Sequence, residues 1–342
     1  MAFSTRTSPA TLRTSFSFYL PARNLQRVEA VSRDADAIVL YGDAGPKIVK
    51  ELRQHDWQVP VLFDRGGYNA SESVGKPENW FEAQAEGGAD RLLSPGRWIG
   101  WTKDIQLFER VMEEETRELP ADVTVLIAID ARWLTKSSGL DAMQGTLRAI
   151  HHPVAVILAD PRDPLASGGA VTSLIALTKS VGDLSILRTD HSGIGALAFG
   201  ATHISIGLTP GSRHLLRPGS NGGRRPGDNS PRIFVRELMD WFTGLNIAGW
   251  SSDSVSPKCE SRCCGGRRLD RFFDPQFNTE ADEHNRTVLA ELAQDILGAP
   301  EVDRRRRFAL LCQSALARYG PMGNLTNEIT PKPTLLQWAQ FA

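Results

Sequence analysis

The sequence predicts an α/β fold, an eight-stranded (β/α)8 barrel of the TIM type followed by a small C-terminal lobe and closing helices. Two observations lead to the barrel. Residues 123–207 contain four apolar runs. The first three end on Asp130, Asp160 and Asp190, which are spaced thirty residues apart. Non-alternating runs that are separated by helical segments, such as 170–180, are typical of strands buried on both faces of a parallel sheet. A repeat of about 30 residues with an acid at each strand's carboxyl end is typical of this barrel, whose active site lies at that end.

Eight apolar segments supply the strands in chain order. They occupy residues 15–22, 36–43, 59–64, 89–95, 123–130, 154–160, 184–190 and 202–207. Helices are predicted in most of the gaps, and this count favours a barrel over an open doubly wound sheet.

Length and composition limit the class of protein. The chain has 342 residues, which suits one barrel with an appendage, and 41% hydrophobic and 23% charged residues are ordinary for a soluble globular protein. No apolar run reaches the roughly 20 residues of a membrane span. The N-terminal segment lacks a secretory apolar region, so we expect a cytoplasmic protein with no membrane contact.

The predicted domains follow from composition. Residues 1–24 form a flexible leader, 25–211 the barrel (with a first strand that starts as early as 15), 212–298 a basic loop and lobe, and 299–342 a C-terminal helix and tail. From Thr209 the chain is rich in Gly, Pro, Ser and Arg and predicts an exposed loop. Helices are expected at 234–245, 280–297 and 306–319.

Acids at the strand ends are the candidate catalytic groups. Asp64, Asp130, Asp160 and Asp190 end strands, and clustered carboxylates repel one another, so one would have a raised pKa and act as a general acid. A second, ionised acid would be a nucleophile or stabilise a cationic transition state. The alternative is that single acids cap the following helix or pair with an arginine. The neighbouring polar residues are Arg132, Arg162, His191 and His203.

Two glycines follow the first of these acids. Gly66 and Gly67 turn the chain sharply after Asp64 and let backbone approach a ligand closely.

A cysteine cluster predicts a metal site in the lobe. Cys259, Cys263 and Cys264 lie together, and His284 follows Cys264 by twenty residues. Three thiolates and an imidazole form a structural Zn²⁺ site, which suits a lobe with little core of its own. The alternative is three unrelated thiols and a surface histidine. Cys312 lies in an apolar helix and is expected in the core.

Basic residues are concentrated in the same region. Residues 213–271 hold eleven Lys or Arg against six acids, although the net charge of the whole chain is −1. The cluster is either a solvated face or a phosphate-binding surface for nucleic acid. The candidate nucleic-acid contacts are Arg213, Arg217, Arg224, Arg225, Arg267 and Arg268.

Several motifs, in the same order, resemble the tRNA-guanine transglycosylase superfamily, the queuine and archaeosine tRNA-ribosyltransferases. The turn Asp-Arg-Gly-Gly-Tyr at 64–68 is similar to that family's Asp-Ser-Gly-Gly-Phe. EAQAEGGAD at 82–90 resembles its Glu-Ile-Gln…Leu-Gly-Ala-Asp segment, and GATHISI at 200–206 resembles its last strand. The cysteine cluster with His284-Asn285 resembles its zinc lobe. The resemblance covers roughly residues 59–297.

The resemblance implies exchange of guanine for a 7-deazaguanine base in nucleic acid, with Asp64 as general acid/base. Ser205 stands where the family has its nucleophilic Asp, and Gly96 falls near its base-reading Asp. The cysteine spacing also differs from the family's Cys-x-Cys-x-x-Cys. If catalysis persists, Asp190 or Asp160 is the expected nucleophile. The expected substrate-binding residues are Gly66, Gly67, Tyr68, Asp130, Arg162, His191 and Ser205.

Three functions follow as hypotheses. The first is a divergent pentosyltransferase that acts on a guanine or 7-deazaguanine base in tRNA or DNA through a ribosyl intermediate. The second is a catalytically inactive nucleic-acid-binding paralogue or accessory subunit. The third is a barrel enzyme acting on a small molecule, since a fold does not fix a function. A homodimer, or a heterodimer with a paralogue, is left open.

Overall fold

In the computed structural model the chain forms two compact units, residues 1–220 and 221–342. Residues 212–220, predicted to begin the basic lobe, therefore lie with the barrel-forming unit. The predicted C-terminal tail belongs to the same unit as the lobe. The structure describes residues 14–23, 25–69, 77–220, 228–250, 257–326 and 329–342.

The first unit contains, in its described part, a curled sheet of eight parallel strands. The strands are β1 (Ser15–Pro21), β2 (Ala37–Tyr41), β3 (Val61–Asp64), β4 (Arg97–Ile99), β5 (Val125–Asp130), β6 (Val154–Ala159), β7 (Leu184–Thr189) and β8 (His203–Gly207). Their hydrogen-bonded order is β3-β2-β1-β8-β7-β6-β5-β4. Pairing of the first strand with the last is the connection that curls such a sheet into a barrel, so the predicted fold class is confirmed.

Helices alternate with these strands, as the apolar runs predict. They are α1 (Leu25–Ser32), α2 (Gly45–Arg53), α3 (Pro77–Glu86), α4 (Gln106–Thr116), α5 (Arg132–Thr135), α6 (Ser137–Ala149), α7 (Ala170–Ser180) and α8 (Ser192–Ala198). The first strand begins at Ser15, the earlier of the two predicted starts, and residues 1–13 of the predicted leader lie outside the described residues.

Side chains from alternate strand positions fill the interior of the barrel. Large and small residues combine there into one buried cluster, which makes the barrel a packed core and not a pore. The strand residues in this cluster are Tyr19, Ala37, Val39, Leu62, Leu126, Ala128, Ala155, Ile157, Ala159 and Leu187.

The fourth strand lies later in the chain than predicted. The predicted segment, 89–95, contributes a bridge from Leu93 to Thr124, and the regular ladder starts only at Arg97. Two neighbours explain the interruption, because Pro95 has no N–H to donate and Gly96 has a φ of +93°.

The third and fourth strands form no ladder with each other in the described part of the chain. Separate backbone hydrogen bonds connect the two segments instead. Gly67 N donates to Pro95 O at 2.9 Å, and Asp90 N donates to Val61 O at 3.0 Å. The barrel is therefore joined more loosely here than between its other strands.

His203 lies at the opposite end of the barrel from the predicted site. It opens β8, and its ring contacts Ser15 Oγ at 2.7 Å and Ser17 Oγ at 3.0 Å, within the sheet. Burial lowers the pKa of His203 to about 3. The prediction that it lies near the barrel mouth is wrong, and its role is to satisfy two buried serine hydroxyls.

The segment after β8 is not the exposed loop that its composition predicts. Leu215 is 3% exposed and belongs to the barrel's interior cluster, and Arg213 is 7% exposed. Leu215 N donates to Leu158 O, and Leu215 O accepts from Asp160 N, so the segment runs beside the end of β6. Burial of the Leu215 side chain in the barrel interior fixes this segment, although the Gly, Pro and Arg around it are typical of an exposed loop.

The second unit combines two short hairpins with two long α-helices and two short ones in its described part. Its elements are β9 (Arg232–Val235), β10 (Asp240–Thr243), α9 (Gly244–Gly249), β11 (Lys258–Cys259), β12 (Arg267–Arg268), α10 (Asn278–Leu297), α11 (Glu301–Thr326) and α12 (Pro333–Ala339). The helix predicted at 280–297 is confirmed, and the closing helix is longer than the predicted 306–319. Cys312 is buried on α11, as predicted.

The helix predicted at 234–245 is wrong, since this segment forms the β9–β10 hairpin. Met239 has a φ of +47°, which turns the chain between the strands. Asn285 on α10 accepts from Phe234 N at 2.8 Å and donates to Arg232 O at 2.7 Å. A side chain distant in sequence thus satisfies backbone groups that a helix would have satisfied locally.

Candidate active site and metal centre

Asp64 is held at the carboxyl end of β3 by three hydrogen bonds. Its Oδ2 accepts from Tyr19 Oη at 2.6 Å and from Tyr68 Oη at 2.8 Å, and its Oδ1 accepts from Gly66 N at 2.8 Å. The carboxyl is 0% exposed. Burial raises the pKa of Asp64 above its usual range, and the hydrogen bonds from the two tyrosines oppose that shift only in part.

The two glycines after Asp64 bring the chain against its own residues. Gly66 has a φ of +77°, and a Cβ there would lie 2.4 Å from the Tyr41 ring. A Cβ on Gly67 would lie 2.7 Å from Pro95 O. The close approach that the sequence predicted is therefore present, but neighbouring strands fill it.

Arg188, like Tyr19, is a site residue that sequence reasoning missed. It lies on β7, and its Nη1 donates to Tyr68 Oη at 3.4 Å while its Nη2 donates to Gly211 O at 2.8 Å. Its guanidinium also lies 5.8 Å from the Tyr19 ring centre and 5.7 Å from that of Tyr41. The available signal was a lone cation inside the apolar run LSILRTD.

Ser205, which the predicted resemblance aligns with the transglycosylase nucleophile, is 0% exposed on β8. Its Oγ accepts a hydrogen bond of 3.0 Å from the backbone N of Arg188. The hydroxyl therefore stabilises the irregular pairing of β7 with β8 and presents no atom to a substrate in this conformation.

Asp130 and Asp160 meet one arginine at the barrel mouth. Arg217 Nε lies 2.9 Å from Asp130 Oδ2, and Arg217 Nη2 lies 2.7 Å from Asp160 Oδ2. Arg132 also pairs with Asp130, at 2.8 Å. The ion-pairing alternative for these acids is thus the observed one, and the side chain of Arg162 is exposed while its backbone N contacts Asp160.

Asp190 and His191 follow β7, with Asp190 Oδ2 3.8 Å from His191 Nδ1. Asp190 lines a small cavity of about 20 Å³ together with Arg188 and His214, and Asp64 is not among the lining residues. The two acids are connected indirectly, because Arg188 both lines this cavity and contacts Tyr68.

All four strand-end acids share one local geometry. Each carboxylate accepts a hydrogen bond from the backbone N two residues later, which is an Asx turn. The pairs are Asp64 with Gly66 at 2.8 Å, Asp130 with Arg132 at 2.9 Å, Asp160 with Arg162 at 2.9 Å and Asp190 with Ser192 at 2.8 Å. The regularly spaced aspartates thus have a structural role, because each one stabilises the turn that leaves its strand.

The cysteine cluster comes together as predicted. The ligand atoms of Cys259, Cys263, Cys264 and His284 all lie within 4.8 Å of one another. Cys263 and Cys264 Sγ are 3.5 Å apart, and Cys264 Sγ lies 3.2 Å from His284 Nδ1. A tetrahedral zinc site has ligand–ligand distances of roughly 3.5 to 3.8 Å, so the donor set and its spacing fit a zinc ion.

Groups outside the cluster orient its ligands. His284 Nε2 contacts Phe234 O at 3.0 Å, which leaves Nδ1 to face the thiols. Arg271 Nη2 donates to Cys264 Sγ at 3.0 Å. Hydrogen bonds from Cys259 and Cys263, and from this guanidinium, lower the pKa of the Cys264 thiol and favour the thiolate that a metal requires.

The arginines predicted to bind nucleic acid have protein partners where the structure describes them. Arg213 Nη2 donates to Leu208 O at 3.3 Å, and Arg217 joins the acids at the barrel mouth. Arg267 pairs with Glu280 at 3.1 Å and Arg268 with Asp270 at 2.5 Å. Arg224 and Arg225 lie outside the described residues. A polyanion would have to compete with these partners.

The structure thus defines a parallel α/β barrel with a Cys3His cluster in a second unit. No protein-family model matches the sequence, and no curated protein matches it. Among solved structures, tryptophan synthase of Pyrococcus furiosus matches with a TM-score of 0.35 and 15% identity, over 57% of this chain and 87% of that one. The carboxyl transferase domain of Rhizobium etli pyruvate carboxylase matches with a TM-score of 0.35 and 13% identity, over 97% of this chain and 61% of that one. The resemblance to transglycosylases therefore stays a prediction. Within the described ranges, the helices lack the length and hydropathy of a membrane span.

Proposed function

We propose that the chain is a divergent member of the tRNA-guanine transglycosylase superfamily, a pentosyltransferase that acts on a guanine or 7-deazaguanine base in tRNA or DNA. One observation supports it most. Asp64 is linked through the Tyr68 hydroxyl to Arg188, which lines the cavity that Asp190 also lines. A buried acid with a raised pKa and a second acid at the carboxyl end of another strand suit acid-assisted departure of a base.

In this proposal Asp64 in its acid form protonates the leaving base, directly or through Tyr68. Asp190 attacks the ribose C1′, the bond from C1′ to the base breaks, and a ribosyl ester forms. An incoming base then takes the ribose from Asp190, and Asp64 accepts the proton of that base. Asp160 is the less suitable nucleophile, because Arg217 already neutralises it.

Access to Asp64 requires a change at the barrel mouth. Tyr19 and Tyr68 donate to the carboxyl, Leu215 belongs to the same interior cluster as these tyrosines, and all three are at most 3% exposed. We expect the segment that carries Leu215 to move aside when a base enters, which is consistent with loops that gate barrel enzymes.

Trapping tests this proposal. Wild type, Asp64→Asn and Asp190→Asn are incubated with tRNA or duplex DNA and labelled 7-deazaguanine, and Asp141→Asn, which changes an exposed acid on α6, is the matched control. We expect label in the polymer with wild type and the control, and none with Asp64→Asn or Asp190→Asn. Absence of both label and covalent adduct with wild type would exclude base exchange.

A second candidate is a catalytically inactive nucleic-acid-binding paralogue or accessory subunit. Ser205 favours it. Its buried hydroxyl accepts a hydrogen bond from Arg188 N, and it stands where the resemblance places the family's nucleophile. This candidate predicts RNA or DNA binding that weakens steeply with salt, without label incorporation. A flat salt response, or no binding, would argue against both nucleic-acid functions and leave a small-molecule substrate.

We also propose that Cys259, Cys263, Cys264 and His284 hold a structural Zn²⁺. Three thiolates and an imidazole leave no open position for chemistry, so the ion would stabilise the second unit. Reduced thiols of this kind suit a protein of the cytoplasm.

A further inference from the structure

Arg188 lies at an irregularity in the sheet that aims its side chain into the barrel mouth. The pairing of β7 with β8 shifts register between Ile186 and Thr189, and Arg188 has a φ of +52°. Leu187 points into the barrel, so simple alternation would turn Arg188 toward the surrounding helices. Bulges and left-handed non-glycine residues are concentrated at functional sites, where they redirect a side chain.

One donor of this guanidinium has no acceptor. Nη1 contacts Tyr68 and Nη2 contacts Gly211, but the buried Nε of Arg188 finds no hydrogen-bond acceptor among the described residues. An ion or a water held by the protein can satisfy a buried charged donor of this kind.

The cavity beside Arg188 collects further nitrogen donors. Arg213 and His214, from the segment after β8, line it together with Thr189 at the end of β7 and Gly193 on α8. The cavity is partly open and its volume of about 20 Å³ suits a single water or one oxygen of a larger group. It therefore lies between the chain segments that follow strands seven and eight.

Two acids also line the cavity. Asp163 Oδ1 accepts from Leu165 N at 2.9 Å, and Asp190 Oδ1 accepts from Ser192 N at 2.8 Å. Each carboxylate thus has one oxygen directed to its own turn. With two guanidiniums and an imidazole against two carboxylates, the lining becomes cationic when His214 is protonated.

We propose that this cavity binds a phosphate group, with Arg188 as its principal ligand and Arg213 and His214 as the flanking ones. One phosphate oxygen occupies the cavity and accepts from Arg188 Nε, and the other oxygens lie at its opening. Arginine suits this role because its fork of donors matches phosphate oxygens. Segments after strands seven and eight of such barrels are a frequent place for phosphate binding.

Phosphate binding would be coupled to the protonation of His214. Burial lowers the pKa of His214, and the charged groups that face it are Asp190, Arg188, Asp160 and Arg213. A bound phosphate dianion adds negative charge beside the ring and favours imidazolium, so we expect phosphate to raise the pKa of His214.

The source of the phosphate rests on the proposed function, in which it is the sugar-phosphate of the nucleotide whose base is exchanged. The site itself does not depend on base exchange. Free inorganic phosphate would be recognised by the same chemistry. Binding is therefore measured without a base-exchange assay, and the two proposals fail separately.

Calorimetry at constant ionic strength tests the site with inorganic phosphate, guanosine 5′-monophosphate and guanosine. We expect saturable binding of phosphate to wild type and an association constant about tenfold lower for Arg188→Gln. Arg148→Gln, on the exposed face of α6, is the matched control and should bind as wild type does. A nucleotide source predicts that the monophosphate binds more tightly than either inorganic phosphate or guanosine. Equal binding of both phosphates assigns the site to free phosphate.

Histidine NMR of the wild-type protein gives a second test, which does not require any variant to fold. Phosphate should shift the His214 ring resonances and raise its pKa, and His203 at the other end of the barrel should not respond. His214→Gln should weaken phosphate binding and remove the shifted signal. Absence of saturable binding, or equal binding by wild type, Arg188→Gln and His214→Gln, would overturn the proposal.

Discussion

Tyr19 donates a hydrogen bond of 2.6 Å to Asp64, and this contact joins the first barrel strand to the end of the third. Tyr68, in the turn after β3, donates to the same oxygen, and the two hydroxyls are 3.1 Å apart. Burial still raises the pKa of Asp64 despite these donors. Folding therefore favours the protonated form of Asp64 over the ionised one, compared with an aspartate in water.

This imbalance predicts a pH dependence. The folded-state pKa of Asp64 exceeds its unfolded value, so its contribution to stability is complete below the unfolded pKa and is lost as pH rises through the folded one. We expect the unfolding free energy of wild type, relative to Asp64→Asn, to fall as pH rises from about 4, the unfolded pKa of an aspartate, through the higher folded pKa. Urea unfolding of both proteins across this range measures it. Asp141→Asn should stay parallel to wild type, and a flat or rising difference for Asp64→Asn would contradict the assignment.

Leu215 predicts that the barrel mouth is part of the core. Leu215→Ala should lower the unfolding free energy by about 2 to 5 kcal/mol, because it removes a side chain from the packed interior. Leu216→Ala changes the adjacent, partly exposed leucine and should cost about 1 kcal/mol or less. Urea unfolding compares the two. If both variants lose the same small amount of unfolding free energy, the Leu215 side chain is not packed in the barrel interior.

The repeat of apolar runs was sufficient to predict the barrel, because strands buried on both faces need continuous Val, Ile and Leu. The pattern of apolar runs was insufficient where proline, glycine or a distant hydrogen bond to the backbone determines the structure. Pro95 and Gly96 interrupt the fourth strand at the point where the apolar run ends, and the ladder resumes in the less apolar RWI. The hairpin at residues 232–243 depends on Asn285, which lies about fifty residues away.

The candidate site was predictable only in part for the same reason. Asp64 and Tyr68 lie four residues apart in one short turn motif, and the cysteines with His284 form a recognisable donor set. Tyr19 contacts Asp64 and Arg188 contacts Tyr68 from other strands, and no local pattern states which of a strand's residues faces the mouth after a bulge. Leu215 was misassigned because the polar residues around it dominate the composition of the segment.

Arg217 predicts a second measure of the barrel mouth. It pairs with Asp130 and Asp160, and Asp130 is 1% exposed. Arg217→Gln should lower the unfolding free energy by about 1 to 3 kcal/mol, since Asp160 loses a charged donor and the buried Asp130 loses an ion-pair partner. Arg148→Gln, on the exposed surface, should change stability by about 0.5 kcal/mol or less. If both variants match wild type, the ion pairs at the mouth contribute nothing to the fold.

The metal site gives the last prediction. Purified protein should contain close to one zinc per chain, because the four ligand atoms lie within 4.8 Å and His284 is oriented by Phe234 O. Cys264→Ala should lose the metal, and the second unit should unfold at lower urea, since metal binding is part of the folding free energy of such a site. Cys312→Ala removes a thiol from the core of α11 and should keep the zinc while it loses stability through packing alone. Metal content by mass spectrometry, with and without chelator, separates the two variants. Zinc near zero in wild type and unchanged in Cys264→Ala would show that the four residues are not a zinc site.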